Sequence, residues 1–206
     1  MNQASLRAAL RLMVVLDPSA AGSRKLADIA SQAAAAGATM LQLRAKHQDS
    51  ATLAALAREI LSAARGVPVI VNDRMDIALA TGAAGCHLGP DDMPLRAARA
   101  MAPAGFVLGA SAGTPAEAAD AQREGADYLG VGPINATSSK HDAGSAIGVP
   151  GFERIRQASS LPAVAIGGIG EQDVAPLMAA GAAGVAVIRA VAEARDIHSA
   201  VEALKR

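Results

Sequence analysis

Four times along its 206 residues the chain writes an Ala-rich, helix-like segment, then Gly-Ala, then an apolar run. The four marks are Gly37-Ala38 before Met40-Leu43, Gly82-Ala83 before Cys86-Leu88, Gly125-Ala126 before Tyr128-Val131 and Gly181-Ala182 before Val185-Ile188. Their separations are 45 (82−37), 43 (125−82) and 56 (181−125) residues, too long for one strand-helix unit and right for two. Glycine suits the position because it takes the left-handed conformation that ends a helix and turns the chain into the next strand.

Four further apolar runs fall between the marks: Leu12-Leu16, Val67-Val71, Phe106-Leu108 and Ala163-Ile166. The segments between them read as helices: Ser23-Ala36 starting at a capping Ser, Ala51-Arg65 with apolar residues at helical spacing, Thr114-Arg123 opening on Thr-Pro, and Asp196-Leu204 opening on Asp. Eight strand-helix units in series give an all-parallel sheet, and strands buried on both faces account for continuous runs such as Val67-Pro68-Val69-Ile70-Val71. An open sheet often carries G-x-G-x-x-G after its first strand, but Leu16 to Gly22 does not have it. The predicted fold is therefore an α/β (β/α)8 TIM barrel, a single domain over residues 1–206.

Composition narrows the partners. Lys and Arg together number 19, equal to Asp plus Glu, and the chain has no Trp, one Tyr and two Phe, so neither a basic stripe nor a base-stacking platform is available for nucleic acid. A small-molecule partner is expected, and a homo-oligomer is compatible with these numbers without being specified by them. Cys86 is the sole cysteine and sits in an apolar run, which points to a buried, inert thiol in a reducing compartment. Met1 to Ala9 lacks the pattern of a secretory signal and no apolar run is long enough for a bilayer, so a cytoplasmic protein without membrane contact is expected.

In a TIM barrel the loops after the strands meet at one rim, so chemistry belongs at strand ends. Strand two runs into Gln42-Leu43-Arg44-Ala45-Lys46, where alternation sends Gln42, Arg44 and Lys46 to one side; two cations and an amide at a barrel mouth suit an anion better than a merely solvated strand end. Strand three ends Asn72-Asp73-Arg74 and strand four runs into Gly89-Pro90-Asp91-Asp92. Neighbouring carboxylates with substrate phosphate and water are the usual setting for Mg2+, which suits Asp73 with Asp91 or Asp92, although Asp73 and Asp91 each also stand where a helix cap is expected. Strand five ends at Ser111. Strand seven ends Gly167-Gly168-Ile169-Gly170 and strand eight Ile188-Arg189, the register of the phosphate site common in this fold. The polar loop from Gly132 to Pro150 reads as a functional lid. The four histidines lack zinc-ligand spacing, and His87 reads as a hydrogen-bonded core or rim residue.

In their order from about Leu12 to Val191, these motifs, with His87-Leu88-Gly89-Pro90-Asp91-Asp92-Met93-Pro94, Gly109-Ala110-Ser111, Gly125 to Pro133, Thr137-Ser138-Ser139-Lys140 and Ala165 to Ile169, resemble thiamine-phosphate synthases. The resemblance implies a dissociative, Mg2+-assisted substitution: a hydroxymethylpyrimidine diphosphate loses pyrophosphate, its methylene carbon becomes strongly cationic, and the ring nitrogen of a thiazole phosphate then attacks it, giving thiamine phosphate. It implies that Gln42, Arg44, Lys46, Asn72 and Lys140 hold the diphosphate, with Arg44, Lys46, Lys140 and Ser111 acting in catalysis. It further implies Asp73 and Asp92 as Mg2+ ligands, Ser111 against the pyrimidine or departing group, Thr137 and Ser139 at the thiazole phosphate, and Gly168 with Ile188 and Arg189 offering backbone N–H groups. The chain departs from the family pattern in three places. Asn135-Ala136 replaces an apolar residue followed by Pro, Arg189 stands where Ser is common, and Met13-Val14-Val15-Leu16-Asp17 replaces Tyr-x-x-Thr-Asp. The neighbouring readings are a thiazole tautomerase, which needs a catalytic His where this chain has Pro133, and a catalytically silent phosphate-binding barrel.

Overall fold

The computed structural model describes residues 1–137 and 144–205. In chain order the elements are α1 (Gln3–Ala9), β1 (Leu12–Leu16), α2 (Pro18–Ala21), α3 (Leu26–Ala36), β2 (Met40–Leu43), α4 (Ser50–Ala63), β3 (Val69–Asn72), α5 (Met75–Thr81), β4 (Gly85–Leu88) and α6 (Leu95–Met101). They continue as β5 (Val107–Ala112), α7 (Pro115–Glu124), β6 (Tyr128–Val131), α8 (Gly148–Arg156), β7 (Ala163–Ile166), α9 (Glu171–Ala179), β8 (Gly184–Val187), α10 (Arg189–Ala192) and α11 (Ile197–Leu204). Each strand pairs in parallel with the next, and β1 also pairs with β8, closing an eight-stranded barrel. No helix among the described residues is long and apolar enough to cross a membrane.

The Gly-Ala repeat has the expected physical origin. Gly37, Gly82 and Gly125 end α3, α5 and α7 in the left-handed region, where a side chain would be strained, and their N–H groups close the last helical turn. Gly181 follows α9 with φ 88°. Each glycine thus converts a helix into the next even-numbered strand.

Strand alternation divides the apolar residues into two cores. Leu41, Leu43, Val69, Val71, Leu129 and their equivalents point outward and pack against the helices, forming the larger core. Met13, Val15, Met40, Ile70, Val107, Tyr128, Val164 and Ala186 fill the barrel interior, and Leu6 and Leu10 from α1 and its C-cap close the end opposite the strand termini. Such filling makes the barrel interior a packed core beneath the rim at the C-terminal ends of the strands. Gly109 is essential to the filling: a Cβ there would lie 2.2 Å from Tyr128 and 2.4 Å from His87, so the missing side chain admits both rings.

Several local expectations are corrected. Ser23 does not cap a helix: it lies between the short α2, capped by the Asp17 carboxylate, and α3, which begins only at Leu26 without a side-chain cap. Neither Asp73 nor Asp91 caps a helix; α5 and α6 begin after Arg74 and Pro94 with no side-chain cap. The loop after β6 ends at Ile147, because α8 includes Pro150 in its first turn, where the missing proline N–H costs nothing.

Candidate active site

At the C-terminal ends of the strands lies a cavity of about 640 Å³. Its wall includes Gln42, Arg44 and Lys46 from the end of β2, Asn72 and Asp73 from β3, Asp92 after β4 and Ser111 from β5. Thr137 follows β6, Gly168 follows β7, and Ile188 and Arg189 join β8 to α10 on the remaining side. The barrel thus brings together eleven residues singled out in the sequence. Ser139 and Lys140 lie outside the described residues.

One wall, from β2 to β4, is built of charged side chains. Arg44 is ion-paired with Asp17, a buried carboxylate whose other oxygen accepts from the Ser19 N–H at 2.9 Å and the Ser19 hydroxyl at 2.7 Å. Asp17 therefore ties the guanidinium to the N-terminus of α2, reducing the freedom of a long side chain. Asp73 has φ 64°, a conformation that costs free energy for a non-glycine residue, and it is held by its N–H to the His87 carbonyl at 2.8 Å. Its carboxylate accepts from the Asn72 amide and lies 3.7 Å from Lys46 Nζ. Asp92 accepts from the Gly89 N–H at 2.7 Å. Burial, followed by the hydrogen bond and negative charge of Asp92, pushes the Asp73 carboxyl up to about 6 against the pull of Lys46 and Arg44. Two carboxylates crowded in this way are under-neutralised by the protein and form a natural place for a cation.

Between the walls the floor carries a buried polar chain. His87 Nδ1 lies 2.9 Å from the Tyr128 hydroxyl and Nε2 lies 3.1 Å from Ser111 Oγ. Gln42 Nε2 donates to Met13 Sδ at 3.4 Å beside this chain. Burial keeps the Tyr128 phenol protonated. Tyr128 O–H can then donate to Nδ1 and His87 Nε2–H to Ser111, leaving the serine proton for a molecule in the cavity. His87 is a hydrogen-bonded rim residue, as its sequence setting suggested. Cys86, on the opposite face of the same strand, is buried, and its thiol is pushed up to about 12 chiefly by burial, which keeps it unreactive.

The other wall, from β7 to α10, is mainly backbone, with Arg189, ion-paired to Glu193 at 3.5 Å, among its side chains. Gly167 and Gly168 have φ 99° and 65°, and the strand end Val187-Ile188 leads directly into α10. Consecutive amides without side chains beside a helix start make a surface suited to phosphate oxygens.

Sequence reasoning missed four contributors. Asp17 appeared only as part of a first-strand departure, although an Asp followed by Pro-Ser is a capping signal. Tyr128 was read as part of a strand, yet it is the sole tyrosine and sits fully buried at the cavity floor. Asn135 and Asp173 stand behind the glycine wall; Asn135 appeared only as part of a departure from the family pattern, and Asp173 carried no local signal of a role there.

A family model described as thiamine monophosphate synthase matches residues 12–191, the span over which the motifs run. A thiamine-phosphate synthase of Methanoculleus marisnigri is 47% identical over 197 residues, covering 94% of this chain and 93% of the relative. The corresponding protein of Chloroflexus aurantiacus is 46% identical, covering 95% and 91%. The solved thiamine phosphate pyrophosphorylase of Pyrococcus furiosus superposes with a TM-score of 0.88 at 35% identity, covering 97% of this chain and 96% of the other. By sequence and by structure, the chain belongs to the thiamine monophosphate synthase family.

Proposed function

We propose that this protein is a transferase that joins a hydroxymethylpyrimidine diphosphate to a thiazole phosphate, releasing pyrophosphate and forming thiamine phosphate. The observation that carries this reading is that one cavity has two anion-binding walls of different construction on either side of a polar floor. The cationic wall suits a diphosphate, the glycine wall suits a phosphate monoester, and Ser111, held by His87, faces the space between them.

In the reaction the bond from methylene carbon to diphosphate oxygen breaks, its electron pair leaving with pyrophosphate, and the thiazole nitrogen supplies the pair for the new carbon–nitrogen bond. Negative charge grows on the leaving group, so Arg44 and Lys46 stabilise the transition state more than the ground state. Asn72 and Gln42 supply amide donors around the same group. Asp73 and Asp92 fit Mg2+ because they are two carboxylates whose repulsion the protein leaves partly uncompensated. When bound, the ion would neutralise charge on the departing pyrophosphate. Among the described residues no group of three or more potential ligands gathers, so a hard cation here would share substrate oxygens, the usual arrangement for Mg2+. Lys140, with Thr137 and Ser139 at the thiazole phosphate, would complete the site from the loop after β6, and replacing Lys140 by Ala is expected to lower turnover far more than stability.

The tautomerase reading is disfavoured because Pro133, which has no ionisable group, lines the cavity where that activity needs a histidine. The decisive assay supplies both substrates with Mg2+ and measures thiamine phosphate and pyrophosphate together. Equal amounts of both, abolished by EDTA, are expected; binding of both ligands without pyrophosphate release would point to a silent barrel.

A further inference from the structure

We propose that Asn135 is a positioning residue that aims two amides of the glycine wall at the phosphate of the thiazole substrate, an inference that rests on the function proposed above. Asn135 does not line the cavity; it lies behind the loop after β7 and holds it by two successive carbonyls. Its backbone N–H donates to the Gly167 carbonyl at 2.9 Å, and its side-chain Nδ2 donates to the Gly168 carbonyl at 3.0 Å. In a trans peptide the N–H points opposite to the carbonyl. Fixing these two carbonyls toward Asn135 therefore turns the N–H groups of Gly168 and Ile169 the other way, toward the cavity that both residues line.

The second Nδ2 hydrogen goes to Asp173 Oδ2 at 3.1 Å, and the same oxygen accepts from the Gly170 N–H at 2.8 Å. Both partners of Nδ2 are pure acceptors, so the orientation of the carboxamide is set by chemistry. Asp173 lies in the first turn of α9, and the network thus ties the loop to a regular element. Gly167 to Gly170 contains three glycines in four residues, a composition that leaves the backbone free unless it is tied. Ordering it before the ligand arrives removes that cost from binding. The fit is close, since a Cβ on Gly168 would lie 2.9 Å from Asn135 Cβ and 2.7 Å from the Ala136 carbonyl.

A carboxamide is needed here, and the test exploits that requirement. Steady-state constants for each substrate and melting temperatures are measured for the parent, Asn135→Ala, Asn135→Asp and the double variant Asn135→Asp with Asp173→Asn. Asn135→Ala is expected to raise KM for the thiazole phosphate about 10-fold, the scale of one lost hydrogen bond, while KM for the pyrimidine diphosphate stays within about 2-fold. Asn135→Asp is expected to be worse, because a carboxylate then faces both a carbonyl and Asp173. The double variant restores a donor-acceptor pair between positions 135 and 173 and recovers the melting temperature, but leaves the Gly168 carbonyl without its donor, so the thiazole KM stays high. An unchanged thiazole KM in Asn135→Ala, equal rises for both substrates, or recovery of KM in the double variant would overturn the proposal. A parent that forms no thiamine phosphate overturns the functional reading itself and the assignment of the thiazole phosphate with it.

Discussion

The two walls of the cavity are built of opposite materials for what we propose is the same task, holding an anion at a barrel rim. From β2 to β4 the work is done by charged side chains that crowd one another: Arg44 is held by buried Asp17, Lys46 stands near Asp73, and Asp73 is pressed against Asp92 in a left-handed backbone conformation. From β7 to α10 it is done by peptide groups on glycines whose shape is fixed from behind by Asn135 and Asp173. The first wall places charge where charge develops in the reaction and gives up stability to do so. The second presents dipoles that need no desolvation of a full charge, and its requirement is shape. Substitutions in the first should therefore change turnover, sometimes with a gain in stability, whereas those in the second should change binding of one substrate.

The largest effect is expected for Arg44→Ala. Loss of a fixed donor to the leaving group should cut turnover about 100- to 1000-fold. Leaving Asp17 buried without its partner should also cost on the order of 3 kcal/mol, seen as a lower midpoint in urea unfolding. Turnover within a few-fold of the parent would move the diphosphate off this wall.

Asp73→Asn should separate function from stability. Turnover is expected to fall about 100-fold, yet in protein freed of divalent ions the variant should be more stable above neutral pH by about 2 kcal/mol, because burial of the charge and then its repulsion with Asp92 are relieved. The sign follows from the raised carboxyl. The folded state keeps its proton up to about pH 6 while the unfolded chain releases it near the ordinary value of 3.8. Its stabilising contribution is full below about pH 4 and is lost as pH rises through about 6. Chemical unfolding of parent and variant at pH 4 and pH 8 checks this; a stability difference that does not grow between the two would remove the explanation from burial and crowding.

On the backbone wall, Gly168→Ala combines φ 65° with a Cβ only 2.7 Å from a carbonyl, so the loop must shift. KM for the thiazole phosphate is expected to rise about 10-fold, with much less change for the pyrimidine diphosphate, on the scale of one amide hydrogen bond misaligned. The smallest effect belongs to the floor. Tyr128→Phe removes the hydroxyl that holds His87 Nδ1 and is expected to lower kcat/KM for the pyrimidine substrate about 5-fold, with both walls intact. An equal loss for the thiazole phosphate would show that the floor serves both ligands.

The same contrast explains what could be read before the structure. The Gly-Ala spacing revealed the barrel because each glycine performs a local task, ending a helix in the left-handed region, and local tasks leave local signals. Arg44, Lys46, Asp73 and Asp92 were legible for a related reason: strand alternation and strand ends carry charged residues to one rim. Asn135 and Asp173 were not legible, since they meet only when β6 and β7 lie side by side, and 38 residues separate them in the chain. Tyr128 was hidden because its meaning depends on Gly109 and His87 making room and offering a partner across two strands. The short α2 was not foreseen, because Asp17 serves as both its cap and a guanidinium partner, and α3 starts at Leu26 rather than after Ser23, with no side-chain cap to mark it.

The most direct measurement is a crystal structure of the protein grown with Mg2+, pyrophosphate and thiamine phosphate. Pyrophosphate is expected against Arg44 and Lys46, bridged through the ion to Asp73 and Asp92, with the thiamine phosphoryl group on the amides of Gly168 and Ile169 near the start of α10. Both phosphate groups on one wall, or a metal ion away from Asp73 and Asp92, would contradict the division of labour between side chains and backbone.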